Sequence, residues 1–155
     1  MNIEEQIADY KPYNEQEAHD QAVMRQLFDT QPDLFTRENQ VVHMTASSWL
    51  LNATHDKVLM IYHNIYHSWA WTGGHADGDR DLLAVAKREA MEETGVTEIR
   101  TISEDIFSLE ILTVDGHEKR GVYVPSHLHL NVSYLLEADE EEVLRIKPDE
   151  NSGVR

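Results

Sequence analysis

Asp81 to Thr94 is the strongest helical pattern in the chain, and its carboxylates limit what surroundings it can have. Advancing about 100° per residue from Leu82 puts Leu82, Leu83, Ala86 and Ala90 in one apolar arc of about 100°. On the same wheel Glu93 falls inside that arc, Glu89 about 20° outside it and Glu92 about 80° outside it. Ala84, Lys87, Arg88 and Met91 take the far side. Like charges this close repel each other. At the edge of an apolar face they also lose solvent, and without partners such carboxylates turn neutral. One hard cation, Mg²⁺ or Mn²⁺, pairs with several of them at once through oxygen ligands. The plain alternative is a solvated acidic helix end. Gly73-Gly74, just upstream, argues against it, because glycine lets backbone approach a ligand closely.

The rest of the pattern places this helix among strands. Residues 1–38 read as helical, with Ala18, Ala22, Val23 and Leu27 at helical spacing and Gln31-Pro32-Asp33 ending the run. Val41–Thr45, Ser48–Leu51, Val58–Tyr62, Trp69–Trp71, Ile99–Ile102, Phe107–Val114, Gly121–Val124 and His127–Leu136 read as strands, with turns at Asn52–Lys57 and Asp115-Gly116. Gly95 suits a helix stop. Glu137–Arg155 is mostly polar and acidic. This order predicts an α/β or α+β layer fold with a mixed sheet.

Composition narrows the function. The chain has 155 residues, 41% of them hydrophobic, enough for one domain with a core plus an extension. No apolar run approaches the ~20 residues a bilayer span needs. The acidic start, MNIEEQIADY, lacks the basic and apolar regions of a signal peptide. There is no cysteine, which excludes thiolate chemistry and suits the cytoplasm. A formal net charge of −16 repels nucleic-acid polymers and anionic membranes. A phosphate-bearing small molecule would need that charge offset locally by bound divalent cations.

Gly73 to Val96 resembles the Nudix box, G-x5-E-x7-R-E-U-x-E-E-x-G-U with U a bulky aliphatic residue. Gly74, Arg88, Glu89, Glu92, Glu93, Gly95 and Val96 match, and Ala90 is a small stand-in for U. The resemblance extends over most of residues 40–140. It implies a Nudix-type α/β/α sandwich with a mixed sheet, behind an N-terminal helical extension (1–38; Nudix domain 39–155). It implies hydrolysis of the pyrophosphate bond of a nucleoside diphosphate linked to another moiety, with Mg²⁺ or Mn²⁺ as cofactor. By position, Glu89, Glu92 and Glu93 would ligate the metal with the Gly73 carbonyl, one acid would help deprotonate water, and Arg88 would orient the carboxylates.

Two features depart from the family. The box asks for Glu at position 80, and this chain has Arg80. Arg80 beside Arg88 would repel it and weaken the site unless Asp79 or Asp81 substitutes, and it motivates a second reading, a domain that binds a nucleotide or metabolite without turnover. The chain also stops at Asn151–Arg155, short of a further strand and a C-terminal helix. That implies truncation, or a partner chain on an open sheet edge.

Other residues are candidates for substrate binding. His127, His129 and Asn131 form a polar stripe along one strand and would line a pocket with Gly74. Trp71 or Trp69 would stack on a base, or both pack into the core. Glu118 and Glu137 are spare acids. His63 and His67 are not on a helix, which argues against a zinc pair. The N-terminal helical segment would cover the site, mediate a homodimer, or pack on the sheet.

Overall fold

The computed structural model describes residues 1–155. In chain order the elements are α1 Ile3–Asp9, α2 Glu15–Thr30, β1 Val42–Leu51, β2 Val58–Leu59, β3 Ile61–His63, β4 Ser68–Ala70, β5 Thr72–His75, α3 Leu82–Thr94, β6 Arg100–Thr101, β7 Ser108–Val114, β8 His117–Lys119, β9 Val122–Val124, β10 His127–Glu137 and β11 Asn151–Val154. The fold is α/β, with a mixed sheet and helices ahead of it. In the sheet β1 and β10 run parallel at the centre, and β2, β5, β6 and β7 pair antiparallel around them.

Alternation along the two central strands separates two surfaces. Val42, Met44, Ala46 and Leu50 share one face with Leu130, Val132, Tyr134 and Leu136. They form a single apolar core with Leu82, Val85, Ala86 and Ala90 of α3 and with Ile3, Ile7 and Met24 of the N-terminal helices. The other face carries His43, Thr45 and Ser47 beside His129, Asn131 and Ser133, and it is polar. The sequence pattern breaks β1 at Ala46-Ser47, but the strand is continuous because the serines are paired within the sheet. Ser47 Oγ lies 2.7 Å from Ser133 Oγ, and Ser48 Oγ lies 2.9 Å from Thr72 Oγ1.

The N-terminal segment is two helices, with Asn2 and Asn14 as their caps. Both pack into the domain's own core. On α2 the buried residues are Glu17 and Met24, with Leu27 and Phe28 against the core, while Ala18, Ala22 and Val23 stay exposed. The reason is the sheet edge. The outward N–H of Leu109 donates to Glu17 (3.2 Å) and that of Ile111 to Asp20 (3.0 Å). Acidic side chains therefore turn inward to occupy β7's free donors, which would otherwise template another strand.

The acidic tail is also ordered. Its β11 pairs with β3. The predicted strand Val58–Tyr62 splits at Met60, whose N–H and C=O bond to Arg155 at 2.8 and 2.9 Å. The hairpin β8–β9 turns at Arg120-Gly121 rather than at Asp115-Gly116. Both turn residues have positive φ (53° and 78°), as a type I′ turn requires. No helix is long and apolar enough to cross a membrane.

Candidate active site

Local signals hold α3 in place. Asp81 caps its start by accepting from the Ala84 N–H (3.1 Å), and Gly95 at φ 83° ends it. The wheel angle of each glutamate then sets its exposure. Glu93 is 2% exposed. Its Oε1 accepts the Gly73 N–H at 2.8 Å, so Gly73 meets this carboxylate through its amide. Glu89 is half-buried and lies against Gly74. A Cβ at position 74 would sit 2.4 Å from the Glu89 carboxyl carbon, so only glycine leaves that carboxylate room.

The third carboxylate is Glu150. One oxygen from each of Glu89, Glu93 and Glu150 lies within 4.8 Å of the others. The tail anchors it: Asn64 N–H donates to the Glu150 carbonyl (3.0 Å), and Asn151 Nδ2 donates to the Glu93 carbonyl (2.9 Å). Sequence reasoning missed Glu150 because it is one acid among many in residues 139–150 and has no spacing relation to α3. Glu92 stands apart, 47% exposed and 3.6 Å from Lys147 Nζ, which also pairs with Glu150 at 3.2 Å.

Burial dominates the proton affinities. It pushes Glu93 up to about 8, and it pushes Glu89 up to about 7 with further repulsion from Glu92 and Glu150. Neither carboxylate has a Lys or Arg ion-pair partner. Once deprotonated, these three crowded carboxylates fit a hard divalent cation.

The polar face of the sheet floors a cavity of about 600 Å³ that reaches Glu93, Gly73 and Gly74. Trp71, Gly74, His127, His129 and Asn131 all line it. Trp71 stands edge-on to Trp49, with ring centroids 5.6 Å apart. Trp69 turns away from the cavity, against Tyr62 (5.6 Å) and under Arg155 (4.3 Å). Asn131 is already committed, donating to Ser47 (2.8 Å) and Glu110 (2.6 Å) and accepting from Thr45 (2.9 Å). His63 lines the cavity too, but its Nδ1 accepts the Ile65 N–H (3.1 Å) in a turn. Glu137 is held by His55 (2.7 Å) and Arg100 (2.6 Å), and Glu118 is exposed on β8.

Four histidines crowd the same floor. His43, His75, His127 and His129 lie with neighbouring ring centroids 4.8–5.2 Å apart. Burial lowers His43, and it lowers His75 and His129 to about 3. His43 and His75 carry no signal in the sequence taken alone, because each sits singly on its strand.

A NUDIX domain model matches residues 41–155. The chain belongs to the Nudix family. It is an enzyme of the pyrophosphohydrolase class. A search of curated proteins gives no match. Among solved structures, an Ap4A hydrolase of C. elegans in a binary complex is similar at 20% identity and a TM-score of 0.52, over 72% of this chain and 77% of that one. The MutT protein of Methanosarcina mazei Go1 is similar at 14% identity and a TM-score of 0.50, over 72% and 73% of the two chains. At such identities the likeness shows the shared fold.

In this Nudix domain the departure at position 80 is resolved by geometry. Arg80 stacks over the Phe35 ring (4.4 Å) and lies 3.9 Å from Asp33, so it points away from the carboxylates. Arg88 instead donates to Asp79 (3.4 Å), while Asp81 is occupied as the helix cap. Arg80 and Arg88 thus find separate carboxylates, and the repulsion expected between them is relieved.

Proposed function

We propose that this protein hydrolyses the pyrophosphate bond of a nucleoside diphosphate linked to another moiety, with Mg²⁺ or Mn²⁺ held by Glu89, Glu93 and Glu150. The observation that carries the reading is the meeting of these three carboxylates, two of them without ion-pair partners, with Glu93 among them lining a cavity. Its volume of about 600 Å³ lies within the range of small-molecule sites. A bound divalent cation supplies charge neutralisation at the phosphates and a more acidic water.

The chain's own groups do the rest. Glu93 reaches the cavity with Oε1 held by Gly73, which leaves Oε2 to accept the proton of the attacking water. The water oxygen bonds to phosphorus, the bridging P–O bond breaks, and the leaving phosphate keeps the electron pair. Gly74 gives Glu89 its position, and Asp79 orients Arg88 alongside. Glu92 would have to leave Lys147 to reach a cation held there. Lys119 faces the cavity without an ion-pair partner and would meet a substrate phosphate. Trp71, Tyr66 and Tyr123 offer aromatic surface for a base. A small nucleotide-type substrate in the cytoplasm suits the acidic, cysteine-free chain.

The test is hydrolysis of a panel of nucleoside triphosphates, dinucleoside polyphosphates, ADP-ribose and nucleotide sugars with Mg²⁺ or Mn²⁺. Turnover of one class, dependent on metal and abolished in Glu93→Gln, is the expected result. A folded protein that turns over none of them would return weight to the non-catalytic binding domain.

A further inference from the structure

The four histidines have no part in the hydrolysis described above, yet their arrangement is specific. β1 and β5 each present one imidazole to the same face of the sheet, and β10 presents two. His43 is directly paired with His129 across the parallel strands, and His75 sits beside Thr45 on the opposite side of β1. One ring nitrogen from each of these three lies within 4.8 Å of the others.

His43 is the informative member. It is 4% exposed, and its Nδ1 lies 3.0 Å from the Asn39 carbonyl. That contact places the proton on Nδ1 and leaves the lone pair on Nε2. Nε2 is buried and has no hydrogen-bond partner. A buried acceptor with no donor, among other imidazoles, has the chemistry of a metal ligand. His127 completes the arrangement from outside. Its Nδ1 lies 2.8 Å from the Pro125 carbonyl and its Nε2 lies 3.0 Å from His129 Nε2. With both rings neutral, His127 donates from Nδ1 and accepts at Nε2, so His129 donates from Nε2 and keeps its Nδ1 lone pair free. Such an outer hydrogen bond is how metal-binding histidines are oriented.

We propose that His43, His75 and His129 form a second metal site, selective for a transition cation of the zinc class and distinct from the carboxylate cluster. Three imidazole donors suit Zn²⁺ and its neighbours, whereas Mg²⁺ prefers oxygen, so the two sites sort cations by ligand chemistry. Tetrahedral ligands about 2.0–2.1 Å from zinc stand about 3.3 Å apart, so the rings draw together on binding. Three protein ligands leave a fourth position open toward the cavity.

The test uses metal-stripped full-length protein, with Zn²⁺ followed by calorimetry and Co²⁺ by visible absorption. Intense d–d bands of a four-coordinate nitrogen site are expected, retained in Glu93→Gln and lost in His129→Gln and His75→Gln. Zn²⁺ affinity should fall more than about 100-fold in those two, and about 10–100-fold in His127→Gln, where only the orienting bond is lost. A pale six-coordinate Co²⁺ spectrum in the unaltered protein would overturn the proposal. So would unchanged Zn²⁺ affinity in folded His129→Gln. Neither readout depends on hydrolysis, so the site stands or falls apart from the catalytic reading.

Discussion

Glu93 of the carboxylate cluster and the imidazoles of His43, His75 and His129 border one cavity, yet burial moves the two clusters in opposite directions. Burial disfavours whichever form is charged. The buried glutamates therefore hold protons, up to about 8 for Glu93, while His75 and His129 shed theirs down to about 3. The difference teaches what each cluster needs. The carboxylates must give up protons before they can hold a cation. The imidazoles are already in the ligating form at neutral pH.

The comparison breaks most sharply at Glu93. Glu93→Gln should lower kcat/KM by about 10²–10⁴-fold, measured as metal-dependent hydrolysis of the panel, because it removes the proton acceptor nearest the cavity. A tenfold loss or less would mean that another group takes the proton. Gly74→Ala comes next, at about 10²-fold, since a Cβ 2.4 Å from the Glu89 carboxyl carbon must push that carboxylate out of place. Its melting temperature should change little, because the end of a flexible side chain can move aside. Glu150→Gln should weaken Mg²⁺ binding about tenfold, or about 1.4 kcal/mol, and more than Glu92→Gln does; the reverse order in a Mg²⁺ titration would return Glu92 to the centre of the site.

Stability sharpens the contrast. In chelator-treated protein, Glu89 and Glu93 keep protons that the unfolded chain has released above its carboxylate value of 4.5. Their contribution therefore falls as pH rises from 4.5 toward about 8. For His75 and His129 the unfolded chain binds protons below 6.5 that the native state refuses, so their contribution rises as pH climbs from about 3 to 6.5. Adding Mg²⁺ should raise the melting temperature by several degrees more at pH 8 than at pH 5. Equal shifts at both values would show that the carboxylates are not what the cation meets. The smallest effect is expected from Arg80→Glu, which should leave kcat/KM within about twofold because the Arg80 guanidinium lies over Phe35 and beside Asp33 rather than among the carboxylates. A large gain in turnover would show that position 80 limits the enzyme after all.

The sequence was most legible where the relevant geometry is local. The helical period orders the burial of Glu93, Glu89 and Glu92 correctly, because one helix fixes their angles whatever surrounds it. Asp81 and Gly95 mark its ends for the same reason. Legibility fell where partners come from far along the chain. The apolar spacing on α2 points to Ala18 and Val23, but the inward face carries Glu17, chosen by free N–H groups on a strand more than ninety residues away. Asp79 and Asp81 are equal candidates on paper, and only the path of the loop gives Arg88 to one and the helix cap to the other.

By itself, the sequence determined the family, the acidic helix and the glycine turn packed against it, because these depend on residues within a few turns of one another. Only the tertiary structure decided that Glu150 joins Glu89 and Glu93, that Arg80 leaves them, and that histidines from three strands meet on one face. Period-two alternation tells which side of a strand a residue occupies, but not which strands will be neighbours. That choice is made by burial of the common apolar face, and it brings whatever lies on the opposite side together.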